Sequence, residues 1–214
     1  MKVLLTGFEP FGGALVNPAY EAVKMLPDEL AGNKLIKKEI PTVFGRDEKV
    51  LRELVKECLP DVVICVGQAG GRSGITVEKV AVNLMEASIP DNDGNQPFDQ
   101  PVKEDGETAY FAKLPVKKIV QNMKNHKIPA RISYTAGTYV CNDIMYRLLY
   151  MIDREYPQMQ GGFIHVPYCP EQVIELSDGV PSMSLEMIAD ALKCAIMAVC
   201  EDGDEIDVAM GEIG

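Results

Sequence analysis

The chain has 214 residues, 47% of them hydrophobic and 25% charged, which is enough apolar content for a sizeable core within one large α/β domain. Asp and Glu number 32 against 21 Lys and Arg, a net charge of −11, and no Lys/Arg-rich block interrupts that excess. This balance argues against a nucleic-acid or anionic-membrane partner.

The opening Met1-Lys-Val-Leu-Leu-Thr-Gly turns polar too soon for a signal-peptide core. Lys2 to Thr6 reads as a first strand instead. Asn17 followed by Pro18 is a helix N-cap with proline at the first helical position, opening a helix to about Met25. A second strand is expected around 34–42. Val50, Leu51, Leu54, Val55 and Cys58 then recur at helical spacing, predicting an amphipathic helix over 46–58. Asp61-Val-Val-Ile-Cys-Val-Gly67 is a continuous apolar run, suited to a central parallel strand covered on both faces.

Ile75 to Asn83 reads as one strand with Glu78, Val80 and Val82 on a common face. Residues 89–106 are turn-rich and predict one long loop, a length usually reserved for functional or mobile segments. Pro115 opens a helix through Met123, 131–136 is a strand, 138–155 a helix and 161–166 a strand. Ser184 caps a final helix carrying Leu185, Ile188, Leu192, Ile196 and Val199. From about Glu201 the tail is acidic and expected to be loosely ordered. The alternation, without repeats or linkers, implies a single domain over 1–214: a three-layer α/β/α sandwich with a mainly parallel central sheet.

Two scarce residue types locate the chemistry. Cys141 follows a strand-like run and a glycine, at what should be the first turn of a helix, where free N–H groups favour thiolate over thiol. Of only two histidines, His165 ends a strand, while His126 sits at a helix end and is expected to face solvent. A cysteine nucleophile needs a base, and the base needs a third group to fix its tautomer. His165 taken alone reads as a satisfied core residue; meeting Cys141 in space would make it the base. Glu78 stands inside an apolar alternation, where a charge must be paired, or else on a solvent-facing edge. Phe8 and Phe11 either wall a flat apolar pocket or pack their loop down. Thr6-Gly-Phe-Glu-Pro-Phe-Gly-Gly13 lacks the glycine and lysine spacing of a phosphate loop.

The six cysteines, at 58, 65, 141, 169, 194 and 200, make no Cys-x-x-Cys pair, and no Cys/His cluster has zinc spacing. No metal and no cofactor are expected. Free thiols suit a reducing, cytoplasmic setting.

Four ordered stretches resemble the pyroglutamyl peptidase I family of cysteine peptidases. They are Thr6-Gly-Phe-Glu-Pro-Phe-Gly-Gly13 with Asn17-Pro18, Gly67-Gln-Ala-Gly-Gly-Arg72 through Asn83, Ser133 through Asn142, and Gly162-Phe-Ile-His-Val-Pro167. The resemblance implies a Glu78, Cys141 and His165 triad and a pyroglutamate pocket at Phe8, Phe11, Asn17, Gln68 and Val140. It also implies N-terminally pyroglutamylated peptides as substrates and a homo-oligomer, dimer or tetramer, with Cys194 able to face a partner subunit. One departure stands out: many bacterial members carry an arginine just before the Ile-Pro-Asp-Asn turn, where this chain has Ser88. The competing readings are a cysteine amidase of altered specificity and a non-catalytic binding homologue of the same fold.

Overall fold

A computed structural model describes residues 1–201 and 205–211. Its strands are β1 (Lys2–Phe8), β2 (Glu29–Leu30), β3 (Asn33–Ile40), β4 (Val62–Gln68), β5 (Ile75–Glu78), β6 (Val80–Val82), β7 (Ala109–Phe111), β8 (Ala130–Ser133) and β9 (Gln160–Val166). The helices are α1 (Pro18–Lys24), α2 (Arg46–Cys58), α3 (Val116–Asn125), α4 (Val140–Arg154), α5 (Pro170–Val173) and α6 (Leu185–Cys200).

Seven strands form the main sheet in the order β2-β3-β1-β4-β9-β5-β8. The apolar run of β4 lies at its centre, parallel to both β1 and β9, with Val62 to Val66 buried. Burial on both faces is why this strand does not alternate in polarity. Helices α1, α3 and α6 pack together on one face, and α2 and α4 on the other. The expected three-layer α/β/α sandwich is thus the observed architecture. Helix starts follow the sequence cues: Asn17 Oδ1 accepts the Ala19 N–H, and Ser184 Oγ accepts the Met187 N–H.

Two strand pairs depart from the parallel rule. β2 and β3 form a short antiparallel hairpin, and β5 runs antiparallel to β9 while remaining parallel to β8. The reversal matters for the site. Thr76 pairs with His165, so Glu78, two residues further along the same face, lies diagonally beside that histidine.

The single strand expected over 75–83 is two strands. At Lys79 the N–H donates to the Ser133 carbonyl of β8, while its own carbonyl accepts the Ala112 N–H next to β7. The chain is handed from the main sheet to the two-stranded β6-β7 ribbon. Glu78 therefore does not share a face with Val80 and Val82. The long loop is also pinned rather than open: the buried Asp91 carboxylate accepts N–H groups from Phe44, Asp93 and Asn95.

Of the acidic tail expected from about 201, residues 202–204 and 212–214 lie outside the described residues. Glu205 does not hang free: its carboxylate accepts the Lys117 and Lys118 N–H groups at 3.0 and 2.8 Å. Those are unpaired donors at the start of α3, which favour an anion.

Candidate active site

The central parallel strands end at one edge of the sheet, and a cavity of about 180 Å³ opens there. Cys141 and His165 both line it, together with Phe8, Phe11, Asn17, Gln68 and Val140. Every residue expected to read a substrate is on this one wall. Glu78 is not on the wall; it lies behind His165, fully buried.

The histidine is held in depth. Its Nδ1 is 2.8 Å from Glu78 Oε1, and its ring packs on Phe163 with centroids 4.8 Å apart. Glu78 Oε1 also accepts from Arg72 Nη1 at 2.6 Å and from Thr76 Oγ1 at 3.3 Å. A carboxylate oxygen only accepts, so the 2.8 Å contact requires the proton on Nδ1, although Arg72 Nη1 at 3.5 Å from Nδ1 disfavours it. That tautomer leaves Nε2 as the free base.

Charges follow from the surroundings. Burial opposes ionisation of Glu78, but the His165 hydrogen bond, with that of Ser133 and the Arg72 charge, outweighs it and holds the carboxyl below its usual range. Burial lowers His165; Glu78 pulls it back only in part, and Arg72 adds to the lowering. The imidazole is therefore neutral at rest.

Cys141 occupies the second residue of α4, as its sequence position suggested, but it is not a standing thiolate. Burial, reinforced by Glu78, pushes its thiol up to about 12, with Arg72 acting in the opposite direction. The first turn of α4 supplies partial positive charge, yet desolvation of the sulfur dominates. The site at rest holds a neutral thiol and a neutral imidazole on one cavity wall.

Helix α4 is fixed at this end by Asp143. Its carboxylate pairs with Arg147 at 2.8 Å and accepts the Gly45 N–H at 3.3 Å. The Asn142 and Asp143 N–H groups both donate to the Tyr139 carbonyl. The Val140 and Cys141 N–H groups, earlier in the turn, have no helical acceptor and can serve a developing oxyanion.

Several cavity residues were not singled out from sequence. Tyr139 is an aromatic wall, 6.1 Å from Phe11 and 5.4 Å from Phe44 between ring centroids, with its hydroxyl donating to the Pro90 carbonyl. Arg72 reaches the Glu78–His165 pair and also donates to the Thr135 carbonyl. Its signal was an arginine closing a glycine-rich loop six residues before the buried acid. Ser88 is exposed and absent from the cavity wall, on which Arg72 supplies a cation. His126 is exposed, as expected.

A pyroglutamyl peptidase family model matches residues 1–202. The chain belongs to the pyroglutamyl peptidase family. The pyrrolidone-carboxylate peptidase of Enterococcus faecalis is 56% identical over 211 residues, 99% of both chains. That of Thermosipho africanus is 56% identical over 202 residues, 94% of this chain and 98% of its own. Pyroglutamyl peptidase I from Bacillus amyloliquefaciens superposes with a TM-score of 0.94 at 50% identity, covering 97% of this chain and 99% of that one. A mutant pyrrolidone carboxyl peptidase from Pyrococcus furiosus gives 0.89 at 43%, covering 93% and 98%.

The strand beneath Cys141 tolerates no side chain at Gly67. Gly67 pairs with His165 across β4 and β9. A Cβ there would lie 2.6 Å from Phe163 Cζ and 2.9 Å from Cys141 Sγ. Gly67→Ala should displace the sulfur and lower kcat/KM by about 10²-fold or more, since misplacement by roughly an ångström costs that much. Steady-state kinetics on the folded variant check it; unimpaired turnover would mean the sulfur does not work from this position.

Proposed function

We infer that Cys141, His165 and Glu78 act together to remove pyroglutamate from the N-termini of peptides. The observation that carries this reading is a tautomer-fixed histidine and a helix-start cysteine on one small cavity walled by Phe8, Phe11, Tyr139 and Val140. Pyroglutamate is flat and neutral and has no ammonium group, so apolar walls with a few amide partners suit it. Among the described residues the wall of this cavity carries no carboxylate side chain to hold a free amine.

The reaction begins with transfer of the Cys141 thiol proton to His165 Nε2 as the sulfur attacks the carbonyl joining pyroglutamate to the next residue. Glu78 holds the imidazole in the required tautomer and stabilises its cation. The Val140 and Cys141 N–H groups face the oxyanion, a contribution of roughly 3–4 kcal/mol per donor in comparable acyl transfers. His165 then returns its proton to the leaving amine. Water, deprotonated by the same imidazole, hydrolyses the thioester.

Among the described residues no helix is long and apolar enough to cross a membrane. A cytoplasmic setting and assembly into a dimer or tetramer belong to the same reading, and sedimentation of the purified chain tests the assembly. Cys194, offered to a partner subunit on sequence grounds, is largely covered by its own chain but lines a surface pocket with His126, Met187 and Met197.

The deciding assay is hydrolysis of a pyroglutamyl-coumarin amide beside its prolyl and alanyl analogues, with and without iodoacetamide. Selective cleavage lost on alkylation supports the reading. Cleavage of all three would favour an amidase of broader specificity, and cleavage of none a binding homologue.

A further inference from the structure

Gln68 ends β4 on the cavity wall, and the two ends of its amide offer a ligand opposite chemistry: the nitrogen donates, the oxygen accepts. Which end is presented depends on Gln172 in the short helix α5. Gln172 Oε1 accepts the Cys169 N–H at 3.1 Å, and its Nε2 donates to the Val16 carbonyl at 3.2 Å. Both partners are main-chain groups of fixed polarity. Exchanging the ends of the Gln172 amide would set N–H against N–H and oxygen against oxygen, so its orientation is unique. Gln172 Nε2 also donates to Gln68 Oε1, at 2.8 Å. The Gln68 oxygen is thereby turned to α5, and its Nε2 is the end left for a ligand.

We propose that Gln172 is a positioning residue for specificity: by locking the Gln68 amide it presents an N–H donor to the ring carbonyl of the lactam. This rests on the pyroglutamyl reading above. That substrate brings two carbonyls into the cavity. The one under attack meets the first-turn N–H groups of α4, which leaves the ring carbonyl for Gln68. A proline ring, which lacks that carbonyl and carries a protonated amine in place of the lactam, would also bury the donor unpaired, and a site built around such a donor rejects the analogue that lacks its partner.

The test uses 2-pyrrolidone, which carries the ring but no scissile bond, as a competitive inhibitor of the full chain. Gln172→Glu has no proton to give at neutral pH. Gln68 must then turn its nitrogen toward position 172 and its oxygen into the cavity. The inhibition constant should rise about tenfold or more, as expected for losing one hydrogen bond and opposing two acceptors. Gln172→Met only frees the Gln68 amide to rotate, so its rise should be smaller, roughly two- to fivefold. In a Gln68→Ala background the Gln172→Glu change should add nothing further, because its effect runs through Gln68. An unchanged thermal midpoint and iodoacetamide reaction rate show that the variants are folded.

An unchanged inhibition constant in Gln172→Glu overturns the proposal. So does an equal loss with Gln68 absent, which would make Gln172 a general support of the loop. A fall in kcat with 2-pyrrolidone binding intact also overturns it, placing the donor at the scissile carbonyl. The wild-type coumarin assay stands apart: its failure removes the pyroglutamyl reading itself, whereas normal wild-type cleavage with an unmoved inhibition constant removes only the role of Gln172.

Discussion

Cys141→Ser should lower kcat/KM on a pyroglutamyl amide by about 10⁴-fold or more, in line with the loss of other hydrolytic nucleophiles. The thiol itself starts at a disadvantage, since burial pushes it up to about 12. In the proposed mechanism it reacts because proton transfer and attack occur together through a neutral histidine. A serine hydroxyl is a far weaker acid than a thiol, and a histidine whose basicity burial has lowered is poorly matched to it. The shorter C–O bond also draws the attacking atom back from its place over Gly67, where the sulfur now lies. Folding should be little affected, because Cys141 packs only part-buried against the core and oxygen for sulfur is a small change there. The measurement is kcat/KM with thermal unfolding in parallel. Retention of most activity would exclude Cys141 as nucleophile. Loss of both activity and thermal stability would leave catalysis to be judged from single-turnover release by residual folded protein.

The parts of this site differ in how plainly the sequence announces them, for physical reasons. Cys141 and His165 were legible because each lies where chain geometry and chemistry coincide: a helix start and the end of a buried strand. The central strands were equally plain, since continuous apolar runs have few other uses. Glu78 was not separable from an edge-strand residue until the family resemblance was drawn. What decides its role is the antiparallel pairing of Thr76 with His165, a long-range register that no local pattern encodes. The break at Lys79 was invisible for the same reason: both halves alternate correctly, and only their partners differ. Arg72 was hidden because an arginine in a glycine-rich loop normally faces solvent. Its contacts with Glu78 and the Thr135 carbonyl appear only when β5 and the chain after β8 are adjacent. Strands of two or three residues, such as β2, β6 and β7, are too short to carry a periodic signal.

Glu78→Gln probes the same machinery from behind the base. Glu78 Oε1 receives His165 Nδ1, Arg72 Nη1 and Thr76 Oγ1. A glutamine of the same shape keeps its oxygen toward Arg72 and Nδ1, because its nitrogen there would oppose the guanidinium donor now 2.6 Å away. It then carries no charge to stabilise the imidazolium that forms when His165 takes the Cys141 proton. The rate should fall about 10²-fold or more, toward the roughly 10⁴-fold loss seen when the amide of a triad acid also imposes the wrong tautomer.

The pH profile gives a second, independent sign. Glu78 raises the affinity of His165 for a proton, against a burial effect that lowers it. Removing the carboxylate removes the raising influence, so the acid limb of kcat/KM should move to lower pH while its plateau drops. Stability responds too. A carboxyl held below its usual range contributes stability above its unfolded value, and loses it as pH falls through the folded one. The variant lacks that contribution at neutral pH and also leaves Arg72, 22% exposed, without its buried partner. Its thermal midpoint should therefore fall below wild type at pH 7, and the difference should narrow in acid. Glu78→Asp keeps the charge but shortens the reach, so part of the rate and the acid limb should return. A full-rate Glu78→Gln enzyme with an unmoved acid limb would show that His165 works without an orienting carboxylate.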